Sequence, residues 1–323
     1  MGKIVVLCGM LLGLTSFVVR SGQAAEANYP RDPIRIVVTH APGGVNDLAA
    51  RLVQPYLQKY LGVPVVVENM PGAGGNIARA YVFAQKPDGY TLLISVQPSM
   101  QAGQIVTQAK FDTLKFVHIY NIVGHNYDVL IVPYDSPWKT VEDLKKGSQA
   151  QALSSAGVGV GSNPYIFAML LKTKAGINLT FVPFNSGAEI GLAVAGAQTQ
   201  MGTATMTSVI HLHDQKKVRI LATDGPTRHE AYPQFPTMVE LGYPEIVLDQ
   251  TVGIFAPPEL PKEKSDILVA AFKKAVADRD FVAAAKKAGV PLRPLEPTEF
   301  LKVSKDFMEL MKKMEPLLKP GRK

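Results

Sequence analysis

Residues 33–57 read PIRIVVTHAPGGVNDLAARLVQPYL, and this stretch decides the fold class. The β-branched residues at 34–38 predict a strand. The turn sequence APGG at 41–44 follows it, which ends the strand and opens a loop. From Val45 onward the apolar residues recur at intervals of three and four positions, which predicts an amphipathic helix. The chain therefore begins its globular part with a strand, a glycine-rich loop and a helix.

The same order of elements recurs further along the chain. Strands are predicted at 63–68, 90–95, 127–132, 152–155, 179–182 and 218–223, and helices at 164–174, 262–277, 279–287 and 298–317. Such alternation predicts parallel sheets covered by helices, an α/β fold. The long extended stretches near 117–132 and 246–256 predict two crossings between two α/β units. We expect a first lobe of 28–127 plus 252–323 and an inserted second lobe of 128–251, with a cleft between them.

The first 25 residues have the layout of a secretory signal peptide. Lys3 precedes a mostly apolar run at 4–19, and small residues at 24, 25 and 27 offer cleavage sites. An uncleaved anchor is the alternative, but the run is shorter than the ~20 residues of a membrane-spanning helix. Cleavage after Ala25 or Ala27 would remove Cys8, the only cysteine. We therefore expect an exported, periplasmic chain with no disulfide.

Composition and charge narrow the classes of partner. The chain has 34 basic and 27 acidic residues, a formal net charge of +7. Removal of the signal segment, with Lys3 and Arg20, leaves 32 basic residues and a charge of +5. This mild excess is compatible with an anionic ligand. No stripe of basic residues alternates with stacking aromatic residues, so we expect no nucleic-acid partner.

Catalytic and cofactor motifs are absent from the sequence, which holds no G-x-S-x-G, no H-E-x-x-H and no phosphate-binding P-loop. The closest histidines, His211 and His213, are two positions apart and do not share a helix face, which disfavours a metal site. The run GVGVGS at 157–162 resembles a dinucleotide fingerprint, but Ser162 replaces its last glycine. We expect no cofactor, no metal and no catalysis.

Four glycine-rich loops, each between a strand and a helix, are the candidate binding elements: 40–47, 69–75, 155–163 and 184–187. Ligands of open α/β sheets bind at such strand ends. The free N–H groups of a helix N-terminus and the helix dipole attract an anion there. A purely structural alternative stays open, since glycines also serve tight turns and Asp47 can complement a helix dipole. Tyr165 and Phe184 can likewise be core aromatic residues.

Taken together, these segments resemble the solute receptors of tripartite tricarboxylate transporters, the Bug-type receptors, from about residue 30 to the C-terminus. The resemblance is carried by PIRIVV at 33–38, APGG at 41–44, GVPVVVEN at 62–69, PGAGGNI at 71–77, PDGYTLL at 87–93, GVGS at 159–162, VPF at 182–184 and FAP at 255–257. It implies a type II periplasmic binding-protein fold whose two lobes close over a small carboxylate. The ligand would be a di- or tricarboxylate, an amino acid or an aromatic acid, passed to membrane permease subunits by a monomeric receptor.

The resemblance also implies that loop donors hold the carboxylate, partly through water, and this carries over to Gly43, Gly44, Asp47, Gly159 and Ser162. His40 departs from the family pattern, which usually has Phe there, and adds a titratable donor near the anion. The full set of candidate ligand residues is His40, Pro42, Gly43, Gly44, Val45, Asn46, Asp47, Ser95, Gln97, Gly159, Val160, Gly161, Ser162, Tyr165, Phe184, Asn185, Thr203 and Ala204.

Two other functions stay open on the sequence alone. A receptor of the same fold could report its ligand to a membrane sensor protein and transport nothing. Production of the chain without a permease would favour that alternative. The second is a hydrolase, which turnover of a bound acid or ester by the pure protein would reveal.

Overall fold

The computed structural model describes residue 2, residues 29–107 and residues 109–319, and of residue 125 it describes the backbone alone. The predicted signal peptide and its cleavage sites fall on residues 1–28 and lie outside the described residues, apart from Gly2. No helix within the described ranges is long and apolar enough to cross a bilayer.

The strands belong to two sheets. In chain order they are β1 (Ile34–Val38), β2 (Val65–Asn69), β3 (Thr91–Gln97), β4 (Val117–Asn126), β5 (Asp128–Pro133), β6 (Leu153–Val158), β7 (Leu179–Phe184), β8 (Met201–Thr205), β9 (Val218–Thr223), β10 (Gln250–Ala256) and β11 (Leu292–Leu295). The first sheet has the spatial order β11-β4-β10-β3-β1-β2, and the second has the order β7-β6-β8-β5-β9.

Helices cover the faces of both sheets. They are α1 (Val45–Leu61), α2 (Asn76–Phe83), α3 (Ser99–Val106), α4 (Val141–Ala150), α5 (Asn163–Leu170), α6 (Gly187–Ala195), α7 (Met206–Asp214), α8 (Lys262–Ala277), α9 (Arg279–Lys287) and α10 (Pro297–Leu318). A 3₁₀ turn at Ala73–Gly75 precedes α2. The predicted helix 164–174 stops being α-helical at Leu170 and continues as a π turn over Leu171–Ala175.

The opening strand is the centre of a parallel arrangement, as its composition predicts. Ile36 of β1 pairs with Val67 of β2 and with Leu92 of β3, and both pairings are parallel. Ile34, Ile36, Val37 and Val38 are each at most 1% exposed, because helices cover both faces of this strand. The strand–loop–helix unit therefore places the loop after Val38 at the carboxyl edge of the first sheet.

The chain passes between the sheets where the extended stretches were predicted. Tyr127 separates β4 of the first sheet from β5 of the second, and β10 returns to the first sheet, antiparallel to β3 and β4. The predicted α/β fold with two lobes is confirmed. The lobe boundaries stay a proposal, and β10 begins at Gln250, two residues before the proposed return at 252.

The C-terminal helix α10 packs against both lobes. Phe300 near its start is buried with Phe255 of β10, whereas Leu318 at its end is buried in the core of the second sheet. The hydroxyl of Tyr165 in α5 donates to the Leu318 carbonyl oxygen at 2.9 Å. Helix α10 therefore begins against the first lobe and ends packed against the second lobe.

Candidate functional site

Two neighbouring cavities lie where the glycine-rich loops meet. The first, here called the cleft cavity, has a volume of about 370 Å³ and is lined by His40, Gly72, Ala73, Gly74, Gly75, Thr107, Val158, Gly159, Val160, Pro183, Phe184 and Asn185. The second, here called the deep cavity, has a volume of about 30 Å³ and is lined by His40, Gly44, Val45, Val96, Val158, Ser162, Asn163, Pro164, Gly187, Thr205, Ser208 and Gln250. His40 and Val158 line both.

The loops from the two sheets touch each other beside the cleft cavity. A Cβ placed on Gly74 would lie 2.6 Å from the Val160 carbonyl oxygen and 2.8 Å from that of Gly159. A Cβ on Gly159 would lie 2.8 Å from the Gly74 nitrogen. Gly74 also has a φ of +65°, which favours glycine. The close approach of the lobes therefore depends on glycine at both positions.

The loop after β1 is held from within by Asp47. Its carboxylate accepts hydrogen bonds from the Gly43 backbone N–H at 3.1 Å, from Arg51 Nε at 2.9 Å and from Asn69 Nδ2 at 2.9 Å. Burial opposes ionisation, but the bonds from Arg51, Asn69 and Gly43 lower the pKa of Asp47 below its usual value. This arrangement matches the structural alternative for Asp47, because the carboxylate supplies the negative charge that the N-terminus of α1 attracts.

His40 has one ring nitrogen in a hydrogen-bond network and the other without a partner. Asn46 Nδ2 lies 3.1 Å from Nδ1, and Thr39 Oγ1 lies 3.0 Å from it. Because Asn46 donates to Nδ1, the proton of the neutral ring is on Nε2. Nε2 is buried and makes no hydrogen bond to a described residue. Burial, aided by the charge of Arg79, lowers the pKa of His40 to about 3, so the ring is neutral at physiological pH.

The helices that begin at the cavities differ in how their N-termini are satisfied. The N-cap residues of α1, α2 and α7 are Gly44, Gly75 and Thr205, none of which forms a side-chain cap. Ser162 does cap α5, because its hydroxyl accepts from the Tyr165 N–H at 3.1 Å and donates to the Val158 carbonyl at 2.6 Å. Gly75 and Asn76, however, donate their N–H groups to the Gly72 and Ala73 carbonyls of the preceding 3₁₀ turn. Uncapped N–H groups are therefore available to an anion at the start of α1, after Gly44, whereas the Ser162 hydroxyl is already used.

Several predicted ligand residues line the cavities, and the others do not. His40, Gly44, Val45, Gly159, Val160, Ser162, Phe184 and Asn185 are brought together there. The residues that line neither cavity are Pro42, Gly43, Asn46, Asp47, Ser95, Gln97, Gly161, Tyr165, Thr203 and Ala204.

Several of these residues are fixed by contacts within the core. Ser95 accepts from Arg79 Nε at 3.0 Å, and the Thr203 hydroxyl donates to the Pro164 carbonyl at 2.7 Å. Gln97 Oε1 accepts from the Ser304 hydroxyl at 2.7 Å. Ala204 is fully buried in the core of the second lobe.

The cavities also contain residues that the candidate set omitted. The loop Gly72–Gly75 was identified as glycine-rich, but its glycines serve a tight turn equally well, and the sequence could not separate the two uses. Ser208 and Gln250 belong to no motif, yet Ser208 Oγ and Gln250 Nε2 are buried without a hydrogen-bond partner in the described part of the chain. A polar residue at the head of the apolar stretch 250–256 was the available signal for Gln250. Among the described residues, no three His, Cys, Asp or Glu side chains are grouped to hold a metal ion.

Comparison with known proteins gives concordant matches. A family model described as the tripartite tricarboxylate transporter family receptor matches residues 49–317. A UPF0065 protein of Cupriavidus necator is 32% identical over 257 residues, which cover 79% of this chain and 77% of that protein.

Solved structures match over most of this chain. The periplasmic binding protein BugD is 27% identical with a TM-score of 0.81, covering 90% of this chain and all of BugD. MatC of Rhodopseudomonas palustris, solved with bound malate, is 24% identical with a TM-score of 0.83, covering 89% of this chain and all of MatC. At this level of identity, the likeness to MatC shows the fold alone.

Proposed function

The chain belongs to the receptors of the tripartite tricarboxylate transporter family, and from this premise we propose that it captures a small carboxylate outside the cytoplasm and delivers it to membrane permease subunits. The predicted family is confirmed by the family model and by BugD. Receptors of this family bind solutes and are not enzymes, which removes the hydrolase alternative. The carboxylate class, the site residues and the delivery to permease subunits are proposals.

The observation that carries the proposal is the cleft cavity between the glycine loops of the two lobes. Its volume of about 370 Å³ lies within the range of ~300–1,000 Å³ that small-molecule sites occupy. The positive end of the α2 dipole lies at its wall, beside Gly75, and the uncapped N-terminus of α1 at Gly44 opens on the adjoining deep cavity. Backbone N–H groups at helix N-termini bind carboxylates. A small organic acid therefore fits both the size and the donors of this site.

The deep cavity supports a role for water between ligand and protein. Its volume of about 30 Å³ is enough for one or two water molecules, since one needs ~10–15 Å³ by the same measure. Ser208 and Gln250 line it, and Ser208 Oγ and Gln250 Nε2 have no hydrogen-bond partner within the described ranges, so a water there would find hydrogen bonds. We propose that this water links part of the ligand carboxylate to the second lobe.

We propose that the His40 side chain recognises the part of the ligand beyond its shared carboxylate. It lines both cavities, and its Nε2–H is a neutral donor that no described residue accepts from. Backbone donors at the N-terminus of α1, after Gly44, recognise the carboxylate that all candidate ligands share. A ligand with a further acceptor, such as a hydroxyl oxygen, would satisfy His40 as well. Malate, the ligand of MatC, has this chemistry and belongs in the first screen.

A thermal-shift screen with matched ligands tests the proposal. Succinate, malate, glutamate and benzoate are each compared with the corresponding amide on the pure protein. An acid at 100 times its dissociation constant should add about 2.7 kcal/mol to the stability, while its amide should add little. A protein that no acid stabilises, or that amides stabilise equally, would overturn the carboxylate proposal.

Delivery to a transporter needs a separate measurement. Uptake of the labelled acid is compared in cells that make the permease subunits with and without this chain. Uptake that depends on the chain supports transport. Binding without any effect on uptake would instead favour the alternative in which the receptor reports to a membrane sensor protein.

A further inference from the structure

Arg79 in α2 is a completely buried cation behind the wall of the cleft cavity. Its side chain is 0% exposed. The guanidinium donates to the Gly74 carbonyl at 3.2 Å and to Asn76 Oδ1 at 2.9 Å. It also donates to Ser95 Oγ at 3.0 Å, to the Ser99 carbonyl at 3.2 Å and to Ser99 Oγ at 2.7 Å. Burial lowers the pKa of Arg79 to about 9, so the group remains charged at neutral pH.

Every acceptor around this guanidinium is neutral. The acceptors are hydroxyl, amide and backbone carbonyl oxygens. Among the carboxylates that the structure describes, none forms an ion pair with Arg79. A buried charge without a counter-charge is costly, because hydrogen bonds to neutral groups replace only part of its hydration. The folded protein therefore holds an uncompensated positive charge at this point.

The charge lies one layer behind the cavity surface. Gly74 and Gly75 line the cleft cavity, and the Gly74 carbonyl accepts from Arg79 on the other side of the loop. A Cβ on Gly75 would lie 3.2 Å from Arg79 Nη2. The positive charge also acts, after burial, to lower the pKa of His40, which lines the same cavity. Its field thus reaches the space that a ligand would occupy.

Helices α1 and α2, which begin at the glycine-rich loops of the first sheet, differ in charge. The first turn of α1 contains Asp47, whose carboxylate is bonded to Arg51 and to the loop backbone. The first turn of α2 contains no acidic residue, and Arg79 adds a full positive charge behind it. The electrostatic potential at the N-terminus of α2, beside Gly75, is therefore more positive than that at the N-terminus of α1.

We propose that Arg79 is a specificity-determining positioning residue, whose buried unpaired charge ranks ligands of the cleft by their negative charge without touching them. The inference rests on the proposed function and adds to it the source of charge selectivity. A dicarboxylate should bind more tightly than its monoamide, and the monoamide more tightly than the diamide. At an effective dielectric constant of ~20, a unit charge ~8 Å away changes affinity by about 30-fold.

The variant Asn76→Asp tests this inference without removing the arginine, whose loss could prevent folding. Asn76 Oδ1 already accepts from Arg79 at 2.9 Å, so the nearly isosteric substitution places a carboxylate at the same point. It also removes the hydrogen bond that Asn76 Nδ2 donates to Thr107 Oγ1 at 2.9 Å, a smaller loss than the gain of a counter-charge for a buried cation. The new ion pair, and an acid at the N-terminus of α2, should raise the melting temperature of the ligand-free protein. The same variant should bind succinate about 10- to 30-fold more weakly and lose part of its preference for succinate over succinamate.

The matched control is Ser99→Ala, which removes one neutral acceptor of Arg79 and keeps its charge. It should lower the melting temperature and leave the preference for succinate over succinamate unchanged. A purely structural role of Arg79 predicts that affinity follows stability in both variants. The inference fails if Asn76→Asp leaves the melting temperature unchanged or lowers it, or if the variant binds succinate as tightly as the wild type does.

The proposed function is tested separately, by ligand binding to the wild-type protein. If the wild-type protein binds neither succinate nor any other acid of the screen, the proposed function is wrong, and so is the claim that Arg79 ranks ligands by charge. The melting temperature of ligand-free Asn76→Asp still reports whether the charge of Arg79 is uncompensated, and an unchanged or lower value overturns the claim of an uncompensated charge.

Discussion

The backbone N–H of Asp128 donates a hydrogen bond to the Asp224 carboxyl oxygen Oδ1 at 2.8 Å, and the Asp224 N–H donates back to the Asp128 carbonyl at 3.1 Å. The two residues lie at the start of β5 and just after β9, beside the crossings between the lobes. Both are fully buried, and neither oxygen of the Asp128 carboxyl has a well-formed hydrogen bond to a described residue. Burial raises the pKa of Asp128 to about 7, and burial together with Asp128 raises the pKa of Asp224. At neutral pH this pair therefore holds at least one proton.

This pair should make the protein less stable as the pH rises from about 4 to about 7. In that window the unfolded Asp128, with a pKa of ~3.9, has lost its proton, whereas the folded one keeps it. The contribution is complete below pH ~4 and is lost progressively as the pH rises through the raised pKa values of the pair. Asp128→Asn should flatten this decline and make the protein more stable at pH 8. Urea unfolding at each pH measures it.

Asp143→Asn is the control for this experiment, because Asp143 is an exposed carboxylate whose pKa is lowered by hydrogen bonds from Thr140 and Lys139. This substitution should leave the decline between pH 4 and pH 7 in place. An Asp128→Asn profile parallel to that of the wild type would show that the carboxyl pair does not carry the effect.

The alanine variant at Gly159 should hinder approach of the two lobes. A Cβ there would lie 2.8 Å from the Gly74 nitrogen, a distance that real Cβ atoms do not tolerate. Gly159 and Gly74 belong to loops of opposite lobes. Gly159→Ala should therefore keep the lobes further apart and weaken ligand binding by about tenfold or more. Small-angle scattering with ligand should show a larger radius of gyration than the liganded wild type. Gly196→Ala, outside both cavities, should behave as the wild type.

The Asp47 carboxylate should prove structural. It accepts hydrogen bonds from Gly43, Arg51 and Asn69, so Asp47→Asn should cost about 2 kcal/mol in the free energy of unfolding. Since the lowered pKa of Asp47 stabilises the fold above pH ~4, the wild type should lose this advantage on acidification, and the variant should not. Ligand affinity, measured by calorimetric titration once the variant is folded, should stay within a few-fold of the wild type. A large loss of affinity with unchanged stability would place Asp47 in the binding site instead.

The sequence predicted the elements whose signal is local. The β-branched run at 34–38, the glycines at 43 and 44 and the heptad-like spacing from Val45 each determine a conformation within a few residues. The strand Met201–Thr205 was not predicted, because MGTAT is short, small and polar, and it is a strand only where β5 and β6 flank it. The helix Ser99–Val106 was missed for the same reason, since its glycine and glutamines give a weak apolar period.

The site was less predictable than the fold, because its chemistry depends on which residues the fold brings together. Gly44 and Gly159 follow from loop patterns. Arg79 and Gln250 do not. Arg79 is only five residues from Gly74, but its burial depends on Ser95 and Ser99 of other elements, and Gln250 is far in sequence from the loops around the deep cavity. The hydroxyl of Ser162 fits a donor role in sequence, but in the structure it is engaged by Val158 and Tyr165. Only the three-dimensional arrangement shows which polar groups still lack partners.

The predicted signal peptide should be cleaved on export. The basic residue Lys3, the apolar run 4–19 and the small residues at 24–27 predict a mature N-terminus at Glu26 or Asn28. N-terminal sequencing of the periplasmic fraction measures this directly. Protein that retains Met1 in that fraction would show that the segment is not removed.

The neutral Nε2–H of His40 should contribute to ligand selectivity but not to the pH dependence of binding. His40→Phe keeps a ring of similar shape and removes this donor, so affinity for an acid with an additional acceptor should fall about 3- to 10-fold. Because the pKa of His40 is about 3, the wild-type affinity should not change through this residue between pH 5 and pH 8. An affinity that rises below pH 6.5 in the wild type and not in His40→Phe would mean that the bound ring is protonated.

The effect of His40 on the pH dependence of stability has the opposite sign to that of Asp128. Unfolded His40 gains a proton between pH 6.5 and about 3, whereas the folded ring excludes it. The wild type should therefore lose stability on acidification through that window and His40→Phe should lose less, while His211→Phe, at an exposed position outside both cavities, should match the wild type in affinity.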